Sequence, residues 1–174
     1  MKCLLLQRSG VHRVIQESIR WRLRRGTVHL EHRFPSIGRI ADIFWPQLRA
    51  VFEIQCSPIS LAELTARTTA YESIGMAVGW IFHVREFYGS ARSFVEGYLG
   101  DRYYLFTDMT IRGSGDIYHL RADGRWYPVD FSIPYRSGRS LAFASEVGAD
   151  SKPDIARFSY MRLLEKLLKE VSAR

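Results

Sequence analysis

Three carboxylate residues, Glu31, Asp42 and Glu53, lie in three consecutive short segments whose patterns predict β-strands. If tight turns join these segments, counting back from each turn pairs Glu31 with Asp42 and Asp42 with Glu53 on neighbouring strands. Paired side chains share one face of a sheet, and Gln55 joins that face two residues after Glu53. The sequence therefore predicts a row of three carboxylates with an amide beside it.

Such a row repels itself, because like charges directly opposite each other destabilise a sheet. A divalent cation removes the repulsion, and Mg²⁺ prefers carboxylate oxygens and water as its ligands. A cation held in this way activates a water and offsets the charge that builds up on a phosphate during hydrolysis. The register depends on turns that pair Phe34 with Arg39 and Trp45 with Ala50. The alternative is that the three carboxylates belong to a solvated sheet face, because a turn one residue longer or shorter breaks the row.

The elements around the row follow one another in a simple order along the first half of the chain. Apolar patterns predict a helix, three antiparallel strands, a second helix and a strand over residues 10–25, 27–34, 39–44, 49–55, 60–73 and 76–84. Ser60 and Glu63 form a capping box at the start of the second helix. The last strand is a continuous apolar run, which indicates burial on both faces of the sheet.

The second half of the chain is predicted to be rich in strands. The expected elements are a helix over 87–99, strands over 102–111, 117–120 and 126–131, a loop over 134–152 and an amphipathic helix over 154–171. Asp123-Gly124 is a hairpin signal between two of these strands. We expect residues 1–84 to form a core, and residues 85–174 to pack on it as a mixed extension of the same domain.

The composition is that of a globular protein with an excess of positive charge. The 174 residues carry 25 basic and 18 acidic side chains, a formal net charge of +7, and only four of the bases are lysine. Arginine matches phosphate oxygens, so this composition favours a polyanionic partner, although a codon bias toward arginine would give the same count. No apolar run is long enough for a membrane helix, so we expect no membrane partner. With two cysteines, Cys3 and Cys56, no disulfide framework is expected, and a cytoplasmic location is favoured.

The residues around the predicted row also form a specific set of motifs. They are Glu31-His32-Arg33, then Gly38-Arg39-Ile40-Ala41-Asp42-Ile43, then Phe52-Glu53-Ile54-Gln55-Cys56-Ser57-Pro58-Ile59-Ser60, and then Arg67, Tyr71, Gly75 and Trp80-Ile81. This pattern, within residues 9–84, resembles the CoiA-like competence protein family, which in turn resembles the PD-(D/E)XK nuclease superfamily. The resemblance implies an α/β (α+β) fold in which residues 1–84 form a nuclease-like core of helix, three antiparallel strands, helix and strand.

The resemblance implies metal-dependent hydrolysis of DNA, with Mg²⁺ or Mn²⁺ as cofactor and DNA as partner. Asp42, Glu53 and Gln55 match the catalytic motif, and Glu31, Asp42 and Glu53 are the expected metal ligands. Gln55 stands where most of the superfamily has lysine, although the CoiA-like family itself has glutamine there. Glutamine lacks the positive charge of lysine, so a DNA-binding module without catalysis stays an alternative. A protein-interaction domain that uses the C-terminal helix is a third option.

The first-helix position of the site is open between three residues. Many nucleases of the superfamily carry an acid there, and Glu17 is the only acid available on this helix. The helical wheel points Glu17 away from the apolar stripe, whereas His12 and Gln16 border the stripe and can fill the position instead. Further motif residues are expected to support the site or to contact DNA: Arg39, Ser57, Arg67 and Tyr71.

Overall fold

The computed structural model describes residues 2–23, 27–57, 59–83, 104–120, 126–137 and 140–145. The helices predicted over 87–99 and 154–171 lie outside these residues. The described elements are α1 Lys2–Arg22, β1 His29–Phe34, β2 Arg39–Trp45, β3 Ala50–Gln55, α2 Leu61–Ser73, β4 Ala77–His83, β5 Tyr104–Thr107, β6 Ile117–Leu120, β7 Trp126–Ser137 and β8 Ser140–Ser145. The mixed α/β class predicted from the sequence is confirmed. Neither α1 nor α2 is both long enough and apolar enough to cross a membrane.

One mixed sheet contains all eight described strands, in the order in which they occur along the chain. β1 pairs with β2 and β2 with β3, both antiparallel. β4 is parallel to β3, and α2 makes the crossover between them. β5 is parallel to β4, β6 to β8 continue as antiparallel neighbours, and β8 returns to β4 at the pair Val78–Ser140. The strands of the extension therefore continue the sheet that contains the carboxylates.

Two similar turns set the register of the first three strands. Each is a single 3-10 turn that begins with proline, Pro35–Ile37 and Pro46–Leu48, and each ends at a residue in the left-handed region, Gly38 with φ 63° and Arg49 with φ 48°. Proline has the fixed φ that such a turn needs at its start. The pairs next to the turns are Phe34–Arg39 and Trp45–Ala50, as the sequence predicted.

The second helix begins and ends at the signals in its sequence. The Ser60 hydroxyl accepts a hydrogen bond of 3.1 Å from the backbone N–H of Glu63, which satisfies one of the free donors of the first turn. After Ser73 the chain passes through Gly75, whose φ of 77° suits a residue without a side chain. On the inner side of α2, the Thr68 hydroxyl accepts a hydrogen bond of 2.9 Å from the Trp80 indole of β4.

The hydrophobic core lies between α1 and one face of the sheet. It includes Ile15, Ile19, Leu23, Ile43, Trp45, Phe52 and Ile54, all of them buried. Because side chains alternate along a strand, Glu53, between two of these residues, faces the other way. There it meets Tyr71 of α2, so the two helices cover opposite faces of the sheet. Glu53 therefore lies on the α2 side of the sheet.

The prediction of a loop over residues 134–152 is wrong for the first half of that range, which contains strand residues. β7 continues to Ser137, and β8 begins at Ser140, so a hairpin occupies most of residues 126–145. Proline lacks a backbone donor and is ordinarily excluded from a regular strand. Here the register of β7 and β8 shifts between Asp130 and Pro134, and this irregularity admits the proline into a paired strand.

Candidate functional site

Asp42 lies at the point where β2 and β3 separate. The paired residues of these strands run from Trp45–Ala50 to Ile43–Phe52, one residue short of Asp42. At the next position, Asp42 Oδ2 accepts a hydrogen bond of 2.6 Å from the backbone N–H of Ile54. The carboxylate thus takes the place of a backbone acceptor, which fixes its orientation by main-chain geometry.

Glu31 interrupts the pairing of β1 with β2. The register passes from Leu30–Ile43 to His32–Ala41, and Glu31 between them has a φ of 50°, which is unusual for a residue other than glycine. Its exposed side chain accepts a hydrogen bond from the Gln16 amide. The row predicted by counting therefore meets an irregular backbone at its first member.

Gln16 ties α1 to both of these strands. Its side-chain nitrogen donates to Glu31 Oε1 and also to the backbone oxygen of Asp42, at 3.1 Å. Gln16 is only 4% exposed, so its buried amide links Glu31 of β1 to the backbone of Asp42 in β2.

His12, one helical turn before Gln16, reaches the same place. Its Nε2 lies 3.1 Å from Asp42 Oδ1. Burial opposes protonation of the imidazole, but the hydrogen bond to Asp42 and the nearby charges of Glu31 and Glu53 outweigh burial and raise the pKa of His12. One donor atom each of His12, Glu31 and Asp42 lies within 4.8 Å of the others. These three residues are called the donor cluster below.

Glu53 lies beside the donor cluster and is almost completely buried, with 3% of the residue exposed. Its Oε1 accepts a 2.6 Å hydrogen bond from the Tyr71 hydroxyl, and its Oε2 lies 3.4 Å from Arg67 Nη1. Burial and the charge of Asp42 raise the pKa of Glu53 to about 7, although both of its partners favour the ionised form. Glu53 therefore exchanges a proton near neutral pH in the metal-free protein.

Gln55 is buried, and its amide nitrogen bonds to Ser57. It donates to the backbone oxygen of Ser57 at 2.6 Å and to the Ser57 hydroxyl at 2.9 Å. These bonds fix the start of the connection from β3 to α2. The side-chain oxygen of Gln55 is the part of this amide that can accept a hydrogen bond from a ligand.

One known family resembles a part of this chain. Residues 18–102 match the family model described as competence protein CoiA, nuclease-like domain. Over these residues the chain is similar to the CoiA nuclease-like domain. The resemblance predicted from the motifs is thereby confirmed. No curated protein and no solved structure matches the chain.

The CoiA match and the motifs cover different stretches. The motifs lie within residues 9–84, whereas the match begins later and continues to residue 102. His12 and Gln16 therefore precede the matched segment. Their place at the carboxylates follows from the packing of α1 on β2, and not from the family pattern.

The remaining predicted residues divide between the edge of the candidate site and the outer surface of α1. Arg67 Nε donates to Glu63 Oε1 at 2.8 Å, so its guanidinium links this exposed carboxylate to the buried Glu53. Arg39 Nη1 lies 3.5 Å from the same Glu63 oxygen. Glu17, in contrast, pairs with Arg20 on its own helix, at 2.8 Å. Of the three first-helix candidates, His12 and Gln16 contact the carboxylates and Glu17 does not.

Sequence reasoning left the interaction between His12 and Asp42 unnamed, and also the bond from Gln55 to Ser57. A usable signal existed for the first, because His12 and Gln16 are four residues apart and so share one face of a helix. A glutamine that bonds two residues ahead in the chain has no such signal, since its rotamer depends on the loop that follows.

Proposed function

We propose that this chain is a divalent-metal-dependent deoxyribonuclease with a core of the PD-(D/E)XK type. The observation that carries the proposal is the donor cluster, in which His12, Glu31 and Asp42 converge within 4.8 Å beside the buried Glu53. Carboxylate oxygens and an imidazole are suitable ligands for Mn²⁺, and the carboxylates also for Mg²⁺. The raised pKa of His12 reflects the negative charge that a cation would offset.

A metal bound to the donor cluster would activate a water and offset charge on the scissile phosphate. The residues of the chain prepare the place for it. The Ile54 N–H orients Asp42, and Gln16 holds Glu31 while it also bonds the backbone of Asp42. Tyr71 and Arg67 hydrogen-bond to the two oxygens of Glu53, which fixes the side chain and favours its ionised form. The Glu53 carboxylate can then serve as a further metal ligand or accept a proton from the attacking water.

Gln55 takes a different part from the lysine that most of the superfamily has. Its nitrogen is bonded to Ser57, which leaves the side-chain oxygen to accept a hydrogen bond from the attacking water. An amide oxygen orients a water but contributes no positive charge to the transition state. We expect a slower reaction than a lysine would support.

DNA is the proposed substrate because of charge and because of the family. The chain has a net charge of +7, and most of its basic residues are arginines. The part-exposed Arg39 and Arg67 lie next to the carboxylates of Glu63 and Glu53, respectively. Guanidinium groups in this position can bind the phosphates that flank the scissile bond. The matched family, a competence protein with a nuclease-like domain, supports the same substrate.

A second candidate function is a DNA-binding module that does not cleave. It is favoured by Gln55, which lacks the positive charge of lysine and whose side-chain nitrogen is already hydrogen-bonded to Ser57. Both candidates predict DNA binding in the cytoplasm, and only the first predicts a product.

The deciding experiment is cleavage of labelled single-stranded and double-stranded DNA with Mg²⁺, with Mn²⁺ and with EDTA. We expect cleavage with either metal and none with EDTA. Asp42→Asn keeps an oxygen for the Ile54 N–H but removes the charge, and it should lower cleavage by roughly 100-fold or more while DNA binding survives. Glu17→Gln is the matched control, because its carboxylate lies on α1 and pairs with Arg20 of the same helix. A wild type that binds DNA and yields no product with either metal would establish the second candidate.

A further inference from the structure

A series of aromatic rings leads across β1 and β2 to the buried Glu53. Its members, here called the aromatic row, are His29, His32, Phe44, Phe34 and Tyr71. Ring centroids are 6.0 Å apart for His29–Phe44, 4.6 Å for His32–Phe44, 5.1 Å for Phe34–Phe44 and 5.8 Å for Phe34–Tyr71. The row ends at the Tyr71 hydroxyl, which bonds Glu53. It is therefore continuous with the proposed active site.

The two ends of the aromatic row differ in exposure. Phe34 and Tyr71 are buried and meet nearly edge-on, at an interplanar angle of 78°. His29 is exposed, and His32 and Phe44 are half-buried. The rings of His29 and Phe44 are inclined by only 27°, and those of His32 and Phe44 by 34°. The outer three rings are thus partly exposed to solvent and rest on buried rings.

The unusual backbone at Glu31 makes this arrangement possible. His29 and His32 are three residues apart, and in a regular strand such residues lie on opposite faces. Both nevertheless contact the ring of Phe44, because Glu31, with its φ of 50°, breaks the alternation between them. The same irregular residue supplies a carboxylate to the donor cluster and brings two imidazoles onto one surface. The row and the site are therefore built by one feature of β1.

We propose that the outer rings of the aromatic row stack on unpaired bases, and that the substrate of the site is accordingly single-stranded DNA. Every base has a flat face that can stack on an aromatic ring, whereas the faces of bases in a duplex are covered by their neighbours. The charge complements this ligand, because Arg33 is exposed on β1, the strand that contains His29 and His32, and can bind a phosphate of a DNA strand that passes along this edge. The identity of the substrate rests on the proposed function, which locates the scissile phosphate at the donor cluster. The stacking of bases on the rings does not depend on that function.

The test is equilibrium binding of the full chain to labelled DNA in EDTA, where no cleavage occurs. Three ligands of about 20 nucleotides are compared at one salt concentration: a single strand, its duplex, and a strand of abasic sites that has the same phosphates without bases. We expect the single strand to bind about tenfold more tightly than either of the others. Equal affinity for the normal and the abasic strand would overturn the proposal without any variant being needed.

Variants then locate the stacking surface. His32→Leu and Phe44→Leu retain apolar volume but remove the flat rings, and each should lower single-strand affinity by about tenfold with little effect on the duplex. Trp21→Leu is the matched control, since it removes an exposed ring of α1 outside the row. His29→Ala, at an exposed position, gives a variant with little risk to folding, and it should show a smaller loss of the same kind. Equal losses for the control and the row variants would overturn the assignment.

Failure of this inference and failure of the proposed function are distinguishable. A protein that prefers single strands through His32 and Phe44 but cleaves nothing retains the stacking surface and is not a nuclease. A protein that cleaves single and double strands equally, and whose row variants bind normally, is a nuclease without a stacking surface.

Discussion

The Tyr71 hydroxyl donates a 2.6 Å hydrogen bond to Glu53, so α2 supplies the closest partner of the buried carboxylate on β3. Arg67, one helical turn earlier, approaches the other carboxylate oxygen at 3.4 Å. These two donors offset only part of the cost of burying a charge beside Asp42, because the pKa of Glu53 is still raised to about 7. Glu53 is therefore held in a position where its charge is costly without a cation.

The first prediction concerns the dependence of stability on pH in the metal-free protein. The pKa of Glu53 is 4.5 in the unfolded chain and about 7 in the folded one, so the folded state binds the proton more tightly. The resulting stabilisation is complete below about pH 4.5 and is lost as the pH rises through about 7. Glu53→Gln removes this loss. The variant should exceed the wild type in free energy of unfolding at about pH 8, by at most about 3 kcal/mol.

Urea unfolding in EDTA at about pH 5 and pH 8 measures this difference. The Glu17→Gln variant, altered at a half-buried carboxylate that pairs with Arg20 on α1, is the control. If the wild type and Glu53→Gln lose the same stability between the two pH values, Glu53 is not the titrating group.

The second prediction concerns the same variant in the presence of metal. Glu53→Gln preserves the size of the side chain and an acceptor for Tyr71, but it removes one negative charge next to the donor cluster. We expect weaker binding of Mn²⁺ and Mg²⁺, and cleavage lower by roughly 100-fold, while DNA binding in EDTA is unchanged. Titration calorimetry with each metal and a cleavage assay measure the two effects. Cleavage equal to that of the wild type would remove Glu53 from the proposed mechanism.

The arrangement of the first strands could be predicted from the sequence because local signals determine it. Two turns that begin with Pro35 and Pro46 set the register, and apolar periodicity identifies the buried face. The irregular features could not be predicted in this way. The positive φ of Glu31 and the bond from Asp42 to the Ile54 N–H are departures from regular pairing. They depend on tertiary contacts such as that of Gln16, which lies 15 residues from Glu31 in the chain.

The third prediction concerns metal selectivity. An imidazole ligand favours Mn²⁺ over Mg²⁺, which prefers oxygen. If His12 joins Glu31 and Asp42 as a ligand, His12→Ala should weaken Mn²⁺ binding by about tenfold or more and Mg²⁺ binding much less. Titration calorimetry with both metals measures the ratio, and Arg13→Ala, an exposed neighbour on α1, is the control. An equal loss for the two metals would mean that His12 only orients Asp42.

The fourth prediction tests the role of the amide at position 55. Gln55→Lys introduces the positive charge that most of the PD-(D/E)XK superfamily has there, at the cost of both hydrogen bonds to Ser57. We expect faster cleavage per bound DNA with Mg²⁺ and a loss of stability of about 1–2 kcal/mol. Gln55→Met, which loses the same bonds without gaining charge, separates the two effects. A Gln55→Lys variant no faster than Gln55→Met would indicate that charge at this position does not limit the reaction.

The final prediction separates charge from stacking in DNA binding. Each phosphate contact with a single strand contributes about 0.7 to the slope of log affinity against log salt, because a bound cation displaces counterions. Arg33→Gln should therefore reduce that slope by about 0.7, whereas Phe44→Leu should lower the affinity at every salt concentration and leave the slope unchanged. Fluorescence anisotropy in EDTA across a range of salt concentrations measures both quantities. If the slope falls in Phe44→Leu as it does in Arg33→Gln, the Phe44 ring acts by positioning arginines. If the affinity of the wild type barely changes with salt, phosphate contacts are not the source of that affinity.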